Sequence, residues 1–414
     1  MSRPSPRPLN LLSALIASLS VMVTAFIAEA QEDPLKWLPP GSRIEATLSE
    51  YPARAVVAEQ RGGTVGHLAR LGELVFRSPL TLGRDAARRG LSCDACHTNG
   101  AANTAFMIPG ASDRPGNIDL THREFHFRED DGLENPVNIP SLRGVRWTAP
   151  YGHDGRFPTL RAFSHNVITR EFGGPPLEDW LMDALVAWQM EFGFTDRDRA
   201  QATSDAYRAN CLSCHGDGTI LPGAKVYDIG TGRLVQAPPL FGLAESAPYL
   251  HDGSAATVGD AVRAHDDLNL SDATLAAVIG DAEHLGTVTR RFDPETLTGD
   301  LRRLDGFLDL VNQQLLDEDG VRADRIGDMV AMEIGHIYRR FDPAAENARA
   351  LVRQWARTLA QVMRTGLERD YPGARDLLAA LKDTIAGDLP RLQEHEQTSL
   401  YASAAANVEK GTDQ

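Results

Sequence analysis

The chain of 414 residues is poor in cysteine, with four in all, and poor in aromatic residues, at 7 %. Four cysteines cannot staple a chain of this length into a disulfide-dense scaffold, and scarce aromatics limit the core its own side chains can build. Beyond the first 30 residues no apolar run is long enough to span a bilayer. Positive charge is also short: 42 Lys and Arg face 57 Asp and Glu, for a formal net charge of −15. That balance argues against nucleic acid as a partner. No methionine occurs between Met190 and Met329, so a thioether ligand is missing from that whole stretch.

The N-terminus carries Arg3 and Arg7, the apolar run "LLSALIASLSVMVTAFIA", and then "AEA" before "QED". A positive segment, an apolar segment and small residues at Ala28 and Ala30 read as a signal peptide over 1–30, cleaved after Ala30. An uncleaved anchor is the rival, because about 18 apolar residues just suffice to span. Either way the folded part lies outside the cytoplasm, and the expected location is the periplasm.

The four cysteines form two copies of one pattern, "CDACH" at 93–97 and "CLSCH" at 211–215. In an exported chain two disulfides or a zinc site could use them, and a C-x-x-C pair alone could be a redox dithiol. The adjoining histidine points to c-type haem attachment instead. Cys93 and Cys96, and likewise Cys211 and Cys214, then hold a porphyrin, and His97 and His215 become proximal iron ligands. Two covalent haem c groups would also supply apolar core that the composition lacks.

A longer repeat follows. "APYGHDGRFPT" begins at Ala149 and "APYLHDGSAAT" at Ala247, one copy downstream of each haem motif. Each has proline-rich turns before it and a helix after it, with Thr159 or Thr257 at the N-cap. His153 and His251 fall in Asp-Gly turns, where a structural role is expected rather than iron ligation; Arg143, Arg146 and Arg156 suit haem propionates better. Helical spacing of apolar residues appears over 64–78, 177–193, 271–286 and 298–315, and in three further runs after Ala323. The expected fold is mostly α: an N-terminal c-type haem domain over 31–195, a second over 196–318, and a helical C-terminal extension without cofactor over 319–414.

The phrases "LSCDACHTNG", "NIPSLRGVRWTAPYGHDGRFPTL" and "SAPYLHDGSAATVGDAVRAH" together resemble the bacterial di-haem cytochrome c peroxidase and MauG-like superfamily, over about residues 66–310. The resemblance implies two haems facing each other across a domain interface. One takes electrons from a donor, and the other, in the N-terminal domain, reacts with peroxide. Where the family places the distal ligand of the second haem, this chain has His265, which implies bis-histidine ligation with His215 and a lower potential than a thioether gives. For the first haem the family's displaceable distal histidine corresponds to His126, with His122 and His165 as other candidates. The family's catalytic carboxylate corresponds to Glu171, which could shuttle a proton between peroxide oxygens. Where peroxidase relatives read W-D-G-R, this chain has His153, so an indole relay is absent at that point; Trp147 and Trp180 are the nearest substitutes in sequence.

The expected activity is therefore peroxidase-like: reduction of hydrogen peroxide with electrons from a small c-type cytochrome or cupredoxin. A non-catalytic di-haem electron-transfer cytochrome and a MauG-like haem oxidase are the alternatives. The resemblance also allows for a homodimer and for calcium at the domain interface, although no ligand pattern in the sequence demands the calcium.

Overall fold

The computed structural model describes residues 66–123, 130–192, 204–216, 226–228, 234–240, 246–265, 268–286 and 296–402, together with Ser42 and Leu243. The signal segment 1–30 and His126 lie outside the described residues. Among those described, the protein is mostly helical, with four short strands in two antiparallel pairs. No described helix is long and apolar enough to cross a membrane.

The first unit opens with α1 (His67–Arg77), whose Leu71, Leu74, Val75 and Phe76 are buried. It lies against α5 (Asp179–Gln189), which buries Leu181, Leu185 and Trp188 on one face. Gly72 makes this approach possible: a Cβ there would stand 1.9 Å from the carbonyl oxygen of Ala184. Between these helices come α2 (Arg84–Arg89), the short helix α3 (Cys93–Cys96) of the first C-x-x-C-H motif, the strand pair β1 (Asn117–Ile118) and β2 (Val137–Asn138), and α4 (Leu160–Asn166). Past α4 the backbone widens into a π-type turn over Val167–Glu171.

The second unit repeats the plan in smaller form: α6 (Asp205–Asn210), α7 (Leu212–His215), the hairpin β3 (Val226–Asp228) and β4 (Leu234–Gln236), α8 (Val258–Arg263) and α9 (Asp272–Gly286). The expected Thr caps are present. Thr159 accepts from the Ala162 amide and Thr257 from the Asp260 amide, each satisfying a donor that the first helical turn leaves open. Tyr151 pairs with Phe157, and Tyr249 with Ala255, in matching isolated bridges.

Four long helices complete the chain: α10 (Leu297–Leu316), α11 (Gly320–Arg340), α12 (Glu346–Leu367) and α13 (Tyr371–Gln393). Successive helices pack on one another and α13 closes back on α10, giving a four-helix bundle. Thus α10, counted with 196–318 in the sequence division, packs with the C-terminal helices. It also touches α1, and one continuous apolar core runs from α1 and α5 through α10 to Trp355 and Leu378. Among the described residues the second unit has small clusters of its own, one around Tyr207, Cys211, Val278 and Leu285 and another around Tyr249, Ala255, Val258 and Ala282.

Candidate functional site

In the first C-x-x-C-H motif both cysteines belong to a short helix, in the second Cys211 stands at the N-cap of the helix that holds Cys214, and all four thiols are free of disulfides. The Ser92 hydroxyl caps α3 by accepting from the Ala95 amide. Burial pushes the Cys93 thiol up to about 12, with the Asp94 carboxylate adding to the effect. Cys96 moves the same way for the same reason. Cys211 is raised to about 11 by burial, then by Cys214 and Asp281. These are neutral thiols, not thiolates held ready for metal or redox exchange. Among the described residues no group of three or more His, Cys, Asp or Glu side chains could hold a metal ion, so a zinc site on either thiol pair finds no such donor set there.

The two motif histidines are held identically. His97 Nδ1 lies 2.9 Å from the Pro140 carbonyl oxygen, and His215 Nδ1 lies 2.9 Å from that of Pro238. A carbonyl only accepts, so Nδ1 carries the proton in each ring and Nε2 keeps its lone pair. Desolvation lowers the His97 pKa to about 4 despite the Pro140 bond, and lowers that of His215. Both imidazoles are therefore neutral, as an iron ligand must be.

His265 follows α8 and donates from Nδ1 to the Ala261 carbonyl at 2.8 Å, which again frees Nε2. Its ring centroid stands 6.2 Å from that of His215. Two imidazoles on opposite sides of one metal, at ~2 Å from each nitrogen, have centroids about 6 Å apart. The pair could thus clasp a single iron from both faces.

The first unit differs at this point. The residue 98 positions before His265 is Val167, a partly buried aliphatic side chain packed against the main core. His165 is exposed on α4 and His122 is half-buried. Four residues beyond Val167, at the end of the π-type turn, Glu171 sinks its carboxyl into the protein. Its Oε1 accepts from Asn166 Nδ2 at 3.1 Å and lies 3.7 Å from the Arg156 guanidinium, while Oε2 is buried with no hydrogen-bond partner. Burial raises the Glu171 pKa against the opposing pull of Arg156 and Asn166. Arg156, expected as a propionate partner, is thus engaged by Glu171 and Asp154. A desolvated carboxyl with one idle oxygen can accept and return a proton.

The two H-D-G turns meet at the contact between the units. The Asn138 amide donates to the His251 carbonyl at 2.9 Å, and the Gln236 amide donates to the His153 carbonyl at 2.8 Å. Asn138 Nδ2 also reaches the Pro248 carbonyl, and Gln236 Nε2 the Thr148 carbonyl. His153 Nε2 donates to the Asn138 carbonyl at 3.0 Å, so the structural role expected of this histidine is what its ring performs. Each unit therefore lends a backbone amide to the other's turn, two residues before the proline that holds its own motif histidine. Sequence reasoning missed this exchange, because backbone donors leave no residue signature. It also missed Asn166 as the partner of Glu171. Trp147 is 40 % exposed, and Trp180 donates to Glu178 beneath the Arg322 guanidinium.

No family model and no curated protein matches the chain. Among solved structures, hydrazine synthase of Kuenenia stuttgartiensis, pressurised with 20 bar xenon, aligns over 60 % of this chain and 94 % of its own, at 15 % identity and a TM-score of 0.38. That likeness is too loose to carry an argument about fold or activity.

Proposed function

We propose that the protein is an exported di-haem c-type cytochrome that reduces hydrogen peroxide to water, taking electrons from a small c-type cytochrome or cupredoxin in the periplasm. The reading rests on the asymmetry between the two sites. At the second, His265 opposes His215 at 6.2 Å, an arrangement suited to electron transfer. At the first, the matching position is aliphatic, and a buried carboxyl with an idle oxygen stands one turn further on.

A haem held by Cys93, Cys96 and His97 would supply the redox chemistry at this site. The chain's own residues then manage protons. With peroxide bound there, Glu171 Oε2 would accept a proton from one peroxide oxygen and return it to the other, so that the O–O bond could break with water as leaving group. Asn166 and Arg156 fix the carboxyl through Oε1 and leave Oε2 free to turn over. Two electrons from the donor protein, for which His215 and His265 would hold the accepting group, and two solvent protons would balance the conversion of one peroxide to two waters. The small cores around Tyr207 and Tyr249 accord with a unit that completes its packing around a porphyrin.

The test is spectroscopic. In the half-reduced protein, the His97 centre is expected to be high-spin ferric and to bind cyanide or react with peroxide. Low-spin iron at both centres in every redox state, without peroxide turnover, would establish the second reading, a pure electron-transfer cytochrome. The replacement of the usual indole by His153 favours that alternative.

A further inference from the structure

The bundle reaches the first site through buried charge. Arg77, the last residue of α1, is 3 % exposed and bridges two carboxylates. Its Nε donates to Glu333 Oε2 of α11 at 3.1 Å, and its Nη1 to Asp94 Oδ2 at 3.3 Å. Asp94 is the residue between Cys93 and Ala95 in the first haem motif. Its other oxygen accepts from the Asn99 amide at 2.8 Å, and its carbonyl from the Thr98 hydroxyl at 3.1 Å. Asp94 therefore ties α3 to the turn just after His97, where Asn99 takes a left-handed φ of 50° and the Gly100 amide returns to the His97 carbonyl. Behind Glu333, His336 Nδ1 stands 3.2 Å from Oε1, and Glu73, paired with Arg303, adjoins the cluster.

The geometry points to Glu333 as a positioning residue for His97: this bundle carboxylate, acting through Arg77 and Asp94, sets the geometry and electrostatic surroundings of the first haem site. The inference rests on the haem reading above. It ties the bundle to the first site, because Glu333 lies on α11 and holds the guanidinium that also binds Asp94. Removing that charge takes one buried negative charge from the Arg77–Asp94 link, which disfavours the ferric state.

The experiment uses the full haem-loaded chain with Glu333→Gln and, as a charge-preserving companion, Glu333→Asp. Haem content is read by pyridine haemochrome, the two midpoint potentials by redox titration, and ligand geometry by electron paramagnetic resonance. Glu333→Gln is expected to raise the potential of the His97 centre and alter its g-values, with the His215 centre unmoved and Glu333→Asp returning the potential toward wild type. If Glu333→Gln does not fold, Glu333→Asp alone must still alter the His97 signal, since its shorter arm draws Arg77 off Asp94. Two haems with both centres unchanged, or with both shifted equally, overturn the inference alone. A chain without haem overturns the functional reading and this inference with it.

Discussion

His215 and His265 face each other with ring centroids 6.2 Å apart, and each donates its Nδ1 proton to a backbone carbonyl. The carbonyls of Pro238 and Ala261 thereby leave both Nε2 atoms with their lone pairs. Replacing His265 with Met should raise the potential of this centre by a sizeable part of the roughly 0.8 V that axial ligation spans. Replacing it with Ala should convert the centre from low-spin to high-spin. Redox titration and electron paramagnetic resonance read both outcomes, and an unchanged spectrum in both variants would remove His265 from the iron.

Glu171 should matter for turnover and little for haem content. Glu171→Gln keeps the shape and the Asn166 contact but cannot cycle a proton, so peroxide turnover is expected to fall by about 100- to 10,000-fold. The working form is the carboxylate, and burial raises its pKa. Activity in the wild type should therefore decline on acidification at a pH above the ordinary glutamate range, and that limb should vanish in the Gln variant. A pH profile of kcat/KM for both proteins decides it.

Glu333 gives a stability prediction with the opposite sign. Burial alone would raise its pKa, but Arg77, His336 and Arg303 together hold it well below the usual carboxylate range. A carboxyl more acidic in the folded than in the unfolded chain contributes stability above the unfolded value, and loses it as pH falls toward the folded value. Glu333→Gln should cost about 3–5 kcal/mol near neutrality by breaking the buried pair with Arg77, with the gap to wild type narrowing as pH falls below the ordinary carboxylate range. Glu73, which burial raises, works in the reverse sense and is present in both proteins. Urea midpoints at pH 7 and at mildly acidic pH provide the comparison.

The exchange between the units can be loosened without touching the sites. Asn138→Ala and Gln236→Ala each remove one side-chain bond to a carbonyl across the contact, worth about 1 kcal/mol. The amides of residues 138 and 236 should then exchange with deuterium roughly fivefold faster per substitution, provided local opening governs exchange. Hydrogen-exchange mass spectrometry reads it, and unchanged rates in the double variant would mean the backbone bonds alone hold the contact.

Local signals carried much of the fold. The caps at Thr159 and Thr257, the helix at 271–286 and the bundle helices after Ala323 follow from periodicity and turn chemistry, which act within a few residues. The helical run leading into the second motif is broken at Cys211, where the backbone must turn to present a second short helix. The attachment of α10 to the bundle was not legible, because an amphipathic helix does not name the face it will cover. Arg77 and Glu333, 256 residues apart, offered no pattern either. In the site, the two C-x-x-C-H motifs stand out in the sequence itself, and His265 is singled out by the family resemblance. What holds them was invisible, since Pro140, Pro238 and Ala261 contribute only carbonyls.

The crossing of amides between the two H-D-G turns makes the chain tolerant in composition and intolerant in length. Asn138 and His153 are as far apart in sequence as Gln236 and His251, and each amide lands on the opposite turn only at that separation. A substitution at most positions between them leaves the donor in place. A single inserted residue would carry the amide past its acceptor and drag the proline behind it away from His97 or His215. The 15-residue separation is thus a mechanical gauge: these loops, irregular as they look, bear a change of side chain better than a change of length.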